Sequence, residues 1–419
     1  MKTGILNNRN FILLFSAQIV SLLGSGVTTV GLAIFAYQLT GGNSATVVIG
    51  NALFLRILAF LIFSQPAGVL ADRFNRRHIL IAADILRFCL LALFPFITEV
   101  WQIYALIFAI NAVTAFFTPT FESSIPEVVG EANYVKALSY SRVAVDIEAI
   151  AAPAIAGLLV VWLGVRWVFW FDAFTYLVSA ALVMGAVVPF VSKLVVPLSI
   201  RVFLSEIQTG TRVLLREPSL RQALILSFVE ATAGAAAIVA TVAYVRDALG
   251  RDDTAYALTM ASLGIGSTVA AIFLGRATGR YEKNFNGRVE LHNRRHTWAQ
   301  RALVIGGVLL GLILLPGILV PPIFIFALLW LLNGAGQALI AIPSSTLLAE
   351  HTDESERGKA YAAHFALTHA CWLITYPAIG YAASIFGTPA TFTIAGVVCL
   401  MITGIAFVLG RGVGKVHVH

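Results

Sequence analysis

Arg56, Asp146, Glu148 and Glu230 are ionisable side chains set in otherwise apolar runs, and they are where this chain has the means to do chemistry. A low-dielectric setting disfavours the charged form of a carboxyl group, so such a group suits the uptake and release of protons. Glu148 has Ala144, Val145, Ala151 and Ala152 at helical spacing, and Glu230 has Leu226, Ser227, Ala233 and Gly234. Neither finds a cation on its own helix. Each therefore reads either as a proton-coupling group or as a carboxyl kept protonated by a hydrogen bond. Arg56 has Ala52, Leu53, Ala59 and Phe60 at the same spacings, so its partner must come from another helix. It is a counter-ion for a carboxylate or an anionic substrate, or else half of an ion pair that locks two helices. Asp146 follows Arg142 by four residues and shares its face, which reads first as an intrahelical pair.

Other chemistries find little support. His292 and His296 are four apart, His364 and His369 lie near Cys371, and the chain ends His417-Val-His419. Imidazole suits nickel, cobalt and zinc, but the first pair is embedded among arginines and the second is five apart. No metal site and no cofactor are expected, although a divalent-metal exporter stays among the readings. No phosphate-binding loop or Gly-x-Ser-x-Gly elbow is present, so neither ATP hydrolysis nor nucleophilic catalysis is expected, and the chain is not read as an enzyme. Cys89, Cys371 and Cys399 read as small hydrophobes. Asp84 and Arg87 read as a brace between helices. Asp172, in Trp167-Val-Phe-Trp-Phe-Asp172, reads as a polar anchor in an interfacial aromatic belt rather than a coupling group.

The elements that must position these residues are membrane helices. Of 419 residues 59% are hydrophobic and only 12% are charged, against about 25% charged in soluble proteins. The mean hydropathy is +0.87. The net charge of +7 could signal nucleic-acid binding, but the basic residues sit in short segments between apolar runs, so nucleic acid is excluded as a partner. Twelve runs are long enough to cross a bilayer: 11–38, 46–67, 78–97, 101–118, 138–162, 166–188, 221–245, 254–275, 300–318, 321–344, 359–384 and 389–410. With both termini cytoplasmic, 23 of the 28 Lys and Arg fall inside, counting Arg142, Arg221, Arg301 and Lys359 at the inner ends of their runs. Arg166, Arg246 and Arg251 fall outside, and Arg56 and Arg87 lie within spans. That asymmetry fits the positive-inside rule.

The spans divide into a six-helix half over 1–188, a cytoplasmic amphipathic linker over 189–220 and a second six-helix half over 221–419. In the linker Arg201, Glu206, Arg212 and Arg216 alternate with Ile200, Phe203, Leu204 and Leu214. A basic insertion follows at 276–299. Pro153-Ala-Ile-Ala-Gly157 in the fifth run is echoed by Pro377-Ala-Ile-Gly-Tyr381 in the eleventh, as parallel repeats require. Ser21-Leu-Leu-Gly-Ser-Gly26 reads as a stripe for close helix packing.

Between the second and third runs stands Gly68-Val-Leu-Ala-Asp72-Arg73-Phe-Asn-Arg76-Arg77. Hydrocarbon cannot hold Asp72, Arg73, Arg76 and Arg77 together, so the segment reads as a short aqueous loop, with Asn75, a residue that tolerates the left-handed region, at its turn. It resembles the signature loop of the major facilitator superfamily. With Pro119-Thr-Phe-Glu-Ser-Ser-Ile-Pro126, expected as a connection before the fifth span, it is most similar to bacterial exporters of the macrolide-efflux and enterobactin-exporter kind. The resemblance implies an all-α, twelve-helix secondary transporter of the bacterial inner membrane, monomeric, with a small-molecule substrate and protons as partners. It also implies that Gly68, Asp72, Arg73, Arg76 and Arg77 form a cytoplasmic gating element. The expected function is export of amphipathic, drug-like molecules by proton antiport and alternating access, as in multidrug resistance. Export of siderophore-like anions or of nickel and cobalt are the alternatives.

Overall fold

The computed structural model describes residues 5–189, 200–284, 288–352 and 357–410. The tail histidines 417 and 419 therefore lie outside the described residues, as do residues 190–199 of the stretch joining the two expected halves. Among the described residues the fold is all-helical, with no strand. Six helices come first: α1 (Arg9–Thr40), α2 (Gly42–Arg73), α3 (Arg76–Leu91), α4 (Val100–Val129), α5 (Glu131–Leu163) and α6 (Val165–Gly185). A 17-residue helix, α7 (Ile200–Arg216), precedes α8 (Pro218–Ala248), α9 (Asp253–Asn284), α10 (Arg288–Leu314), α11 (Ile323–Glu350), α12 (Arg357–Phe386) and α13 (Thr388–Gly410). Ten of these are long and apolar enough to cross a membrane. The 33-residue α5 and 30-residue α12 complete twelve long helices, α7 standing apart. Lipid-exposed backbone must satisfy its own hydrogen bonds, which is why the chain spends its apolar sequence on unbroken helices.

Single glycines make several of the turns. Gly41, Gly130, Gly164 and Gly387 each separate two helices and carry φ values of 70°, 75°, 90° and 78°. At Gly130 and Gly164 ψ is 155° and 162°, a region that residues with a Cβ avoid. One residue therefore reverses the chain where a longer loop would need more exposed backbone.

Two compact units result. One comprises residues 1–197 with 252–261, the other 198–251 with 262–419. In the first, Phe11, Leu14, Leu80, Phe117, Phe121 and Val183 form a buried cluster. A second nucleus there stacks Phe94 on Phe169 at 4.2 Å with Phe35 edge-on to both. The second unit is built on Tyr244, Phe326, Trp330 and Phe392, with Phe326 and Trp330 at 4.0 Å between ring centres. The Tyr244 hydroxyl donates to the Gly317 carbonyl at 2.7 Å. Within α8, residues 236–240 and 244–248 wind as π-helix on either side of Thr241–Ala243. Trp162, Phe273, Leu319 and Phe324 are among many large apolar side chains left outward, as a lipid-facing surface requires.

Several expected connections are helix instead. The signature segment was expected as a ten-residue loop, yet α2 runs through Arg73 and α3 begins at Arg76, leaving only Phe74 and Asn75 between them. Asn75 is not left-handed. It has φ −61° and ψ 113°, and its side chain accepts from the Arg77 N–H, so it is the N-cap of α3. The segment 119–126, expected as a connection, lies inside α4, where Ser123 and Ser124 both donate to the Thr120 carbonyl. Pro119 and Pro126 each remove one N–H donor, yet the helix continues through both. The basic insertion likewise forms the end of α9 and the start of α10, apart from 285–287 outside the described residues. The amphipathic α7 groups with the second unit and packs on α12, where Gly210 lies against the Lys359 carbonyl and Leu214 is buried.

Candidate functional site

Four helices of the first unit bring polar side chains to one cavity. Ser25, Thr28 and Thr29 come from α1, Arg56 from α2, Asn111 and Thr114 from α4, and Asp172 and Tyr176 from α6. Leu32, Leu53, Leu91, Ile107 and Ile110 line the rest. The cavity volume is about 70 Å³. Small-molecule sites run to about 300–1,000 Å³, whereas one water needs only about 10–15 Å³. This cavity is therefore scaled for a few waters or one polar group, not for a whole drug-like molecule.

Asp172 is held at its wall. It is 1% exposed, and its Oδ2 accepts from the Thr28 hydroxyl at 2.6 Å. Thr175 donates to the Asp172 carbonyl at 2.7 Å and to Oδ1 at 3.1 Å. Ser25 and Tyr176 share a hydrogen bond of 3.0 Å. Arg56 enters from α2, is exposed, and donates to Thr29 Oγ1 at 3.3 Å. Its charge acts on Asp172 and also on Glu148 of α5. Arg56 thus finds its hydrogen-bond partner on α1, as the lack of polar neighbours on α2 requires.

Two glycines of α1 make this convergence possible. A Cβ at Gly24 would fall on Asp172 Oδ1 and Thr175 Oγ1, and one at Gly26 would meet Ala152 and, at 2.8 Å, Glu148 Oε1. The stripe predicted for packing does pack closely, and what it packs against is the pair of carboxyl groups. Asp172 was expected to be an interfacial anchor and instead lines the cavity. Aromatic crowding in 167–172 concealed it. The signal in the sequence was Thr28 and Thr175 beside small residues, hydroxyls at the right helical spacing to hold an acid.

A polar seam runs from this cavity along α3 and α6. Asp84 and Arg87 are both buried and form an ion pair, and Ser179 donates to Asp84 Oδ2 at 2.7 Å. The Arg87 guanidinium lies 4.2 Å from the Phe117 ring centre and 4.3 Å from that of Tyr176. Each charge of the pair is thus paired or capped by a π face, which a buried charge requires. At the far end of α3, Arg77 donates to the Met184 carbonyl in the last turn of α6. Arg76 is 1% exposed, pairs with Glu127 Oε1 at 2.5 Å and donates to the Ser123 carbonyl at 2.9 Å. Both arginines of the signature segment therefore clamp α3 to α4 and α6 within the first unit.

The remaining predicted residues are apart from this cluster or beyond description. Glu230 belongs to α8 in the second unit, where its charge acts on Cys371 of α12. Asp146, Gly68, Asp72 and Arg73 lie in described helices, but their side chains fall outside the described residues, as do those of Arg142, His292 and His296. His369 stacks on Phe365 of its own helix at 3.8 Å. Among the described residues no three His, Cys, Asp or Glu side chains gather as metal ligands would.

The sequence profile of the Major Facilitator Superfamily matches residues 14–291 and again 223–416. The chain belongs to that superfamily. Two matches along one chain fit the repeated architecture of this transporter fold. The MFS-type transporter YfiS of Bacillus subtilis (strain 168) is 24% identical over 422 residues, covering 98% of this chain and 95% of that one. Macrolide efflux protein A of Streptococcus pyogenes is 30% identical over 154 residues, 36% of this chain and 37% of that protein. The enterobactin exporter EntS of Escherichia coli O1:K1 / APEC is 27% identical over 171 residues, again 36% and 37%. A POT family transporter crystallised with 5-aminolevulinic acid shares the fold, with a TM-score of 0.75 at 12% identity over 97% of each chain. This superfamily member is a multi-pass, non-enzymatic membrane transporter.

Proposed function

We propose that this transporter exports amphipathic, drug-like small molecules in exchange for protons by alternating access. One observation carries the reading. The Arg56 guanidinium and Asp172 line one water-sized cavity within the membrane-spanning part of the first unit, and the carboxyl groups of Asp172 and Glu148 pack on Gly24 and Gly26 of the same helix, α1. Two carboxylates facing one fixed cation leave one negative charge, and a single proton cancels it. A proton and a cationic or polar substrate group thereby compete for the same charge balance, which is the physical requirement of an antiporter. Glu148 and Asp172 are the exchanging pair and Arg56 is their counter-ion. Glu230 in the second unit is a further coupling carboxyl, and Asp146 is a third candidate, on α5.

The direction of transport comes from the relatives named for macrolide efflux and enterobactin export. The signature segment forms the gating element at the cytoplasmic side of the bacterial inner membrane, where both termini lie. Asp72 and Arg73 act in that gate, and Arg76 and Arg77 hold α3 to α4 and α6 beside it. The protein works as a monomer. The exposed position of Arg56 on the cavity favours a second reading, in which the guanidinium receives the anionic group of a siderophore-like substrate.

Proteoliposomes with a pH-sensitive dye inside test both. Lipophilic cations, macrolides, catechol siderophores and nickel are added in turn to the parent and to Glu148→Gln, Asp172→Asn, Glu230→Gln and Arg56→Gln. Proton counterflow triggered by macrolides or lipophilic cations, and lost in Glu148→Gln or Asp172→Asn, supports the first reading. Transport of siderophores alone, lost in Arg56→Gln, supports the second. Transport without proton movement in the parent rules out antiport.

A further inference from the structure

A second cavity, in the other unit, has the construction of a lipid headgroup site. Its volume is about 390 Å³, within the range of about 300–1,000 Å³ typical of small-molecule sites. It opens where three membrane-crossing segments begin or end: Pro218–Ala248, Thr297–Leu319 and Thr388–Gly410. Gln222, Thr297, Gln300 and Arg301 form its polar side, and Ile305 and Phe407 its exposed apolar side. The division matches a ligand that is polar at the membrane boundary and apolar just below it.

The polar side is specific. Gln222 is 3% exposed and lines the cavity. Its Nε2 donates to the Ala406 carbonyl at 3.3 Å, which fixes the amide orientation and leaves Oε1 as the acceptor. That oxygen is buried without a hydrogen-bond partner, a state that native interiors seldom leave unanswered. Gln300 is anchored by donating from Nε2 to Ser219 Oγ at 3.3 Å, and the nearby Arg221 is tied to the Leu409 carbonyl at 3.2 Å. Arg301 is exposed and has no ion-pair or hydrogen-bond partner among the described residues. Glu217, the nearest acid in sequence, accepts from Ser219 at 3.4 Å. The ligand must bring an anion for Arg301, a hydrogen-bond donor for Gln222 and an apolar body for Ile305 and Phe407.

We infer that this cavity binds an anionic glycerophospholipid whose headgroup carries a free hydroxyl, phosphatidylglycerol being the simplest such lipid. The phosphodiester meets Arg301, the headgroup hydroxyl donates to Gln222 Oε1, and an acyl chain descends along Ile305 and Phe407. The many Lys and Arg at this end of the helices place it in the cytoplasmic leaflet by the positive-inside rule. Basic pockets between helices on that side are suited to anionic headgroups. The inference is independent of what the protein transports.

Native mass spectrometry of the full chain, released from micelles titrated with short-chain phosphatidylglycerol, phosphatidic acid or phosphatidylcholine, tests it. The parent retains phosphatidylglycerol over phosphatidylcholine by about fivefold or more, the advantage of one arginine at the membrane surface. Arg301→Gln removes that preference, and Arg301→Lys keeps it. Gln222→Leu lowers retention of phosphatidylglycerol but not of phosphatidic acid, which has no headgroup alcohol. The inference is overturned if the parent shows no preference, or if Arg301→Gln binds as the parent does. It is also overturned if inorganic phosphate or glycerol 3-phosphate displaces the lipid, since the site would then belong to a soluble anion. Arg301 is exposed, so its substitutions leave the fold intact and decide the question even if Gln222→Leu unfolds.

Discussion

Replacing Gly24 by alanine is the sharpest perturbation of the site, because a single methyl group is placed against the carboxylate itself. The new Cβ would coincide with Asp172 Oδ1 and Thr175 Oγ1, so α6 must retreat or Asp172 must turn. Overpacking of this kind costs about 1–3 kcal/mol. If Asp172 turns, its 2.6 Å bond from Thr28 is also lost, and a hydrogen bond to a charged group contributes about 1.5–3 kcal/mol. The two terms describe alternative relaxations, so the expected loss is about 1–3 kcal/mol rather than their sum. Thermal unfolding in detergent measures the loss, and proton flux in proteoliposomes measures the effect on coupling. Thr28→Val removes only the hydroxyl. Thr28 is on α1 and Asp172 on α6, so either relaxation breaks their bond, and the double variant Gly24→Ala with Thr28→Val should be less destabilised than the sum of the two singles, since the bond is lost once. A Gly24→Ala protein that melts and couples like the parent would refute the argument that close packing of α1 on α6 places the carboxyl group.

Other consequences are as direct. Arg87→Leu leaves Asp84 buried without its cation and should destabilise the protein by about 3–5 kcal/mol, while adding Asp84→Leu recovers most of this; thermal melting of the two variants checks it. Gly164→Ala meets no neighbour within 4 Å, so its loss of about 1–3 kcal/mol is purely backbone strain, and Gly41→Ala should behave alike in the same assay. Asn75→Ala removes the cap of α3 and should cost about 1 kcal/mol, with faster amide hydrogen exchange confined to the first turn of that helix. Gly210→Ala forces α7 off the Lys359 carbonyl, and limited proteolysis should then cut between Ile200 and Arg216 faster than in the parent.

The architecture was legible because the bilayer imposes a coarse rule: long apolar runs become helices, and arginines mark one side. Arg56 stood out for the same reason, a charge amid alanine and leucine whose partners had to lie elsewhere. The helix ends were not legible. Charge in 68–77 and proline with hydroxyls in 119–126 look like loop, yet membrane helices of this kind extend into the aqueous layer, where polar residues are no obstacle to helical hydrogen bonding. Asn75 illustrates the limit, since the same residue type serves a left-handed turn and an N-cap, and only backbone angles distinguish them. The cavity beside Asp172 was not legible, because an acid among aromatic residues fits both an interfacial belt and a buried site. Deciding between them needs the depth of α6 against α1, which is set at Gly24 and at Thr28, 144 residues away.

The π-turns of α8 have a consequence for how the chain tolerates changes of length. A π-turn accommodates one residue more than an α-turn while returning the residues beyond it to their former facing. Deleting one residue within 236–240 therefore lets that turn close as α-helix, and Tyr244 still reaches the Gly317 carbonyl and its ring cluster. The same deletion between 223 and 233 turns every later side chain by about 100° and swings Tyr244 out of the core. The helix thus carries a spare residue at a fixed address, and single-residue gaps should accumulate there and be purged from the stretch that holds Glu230.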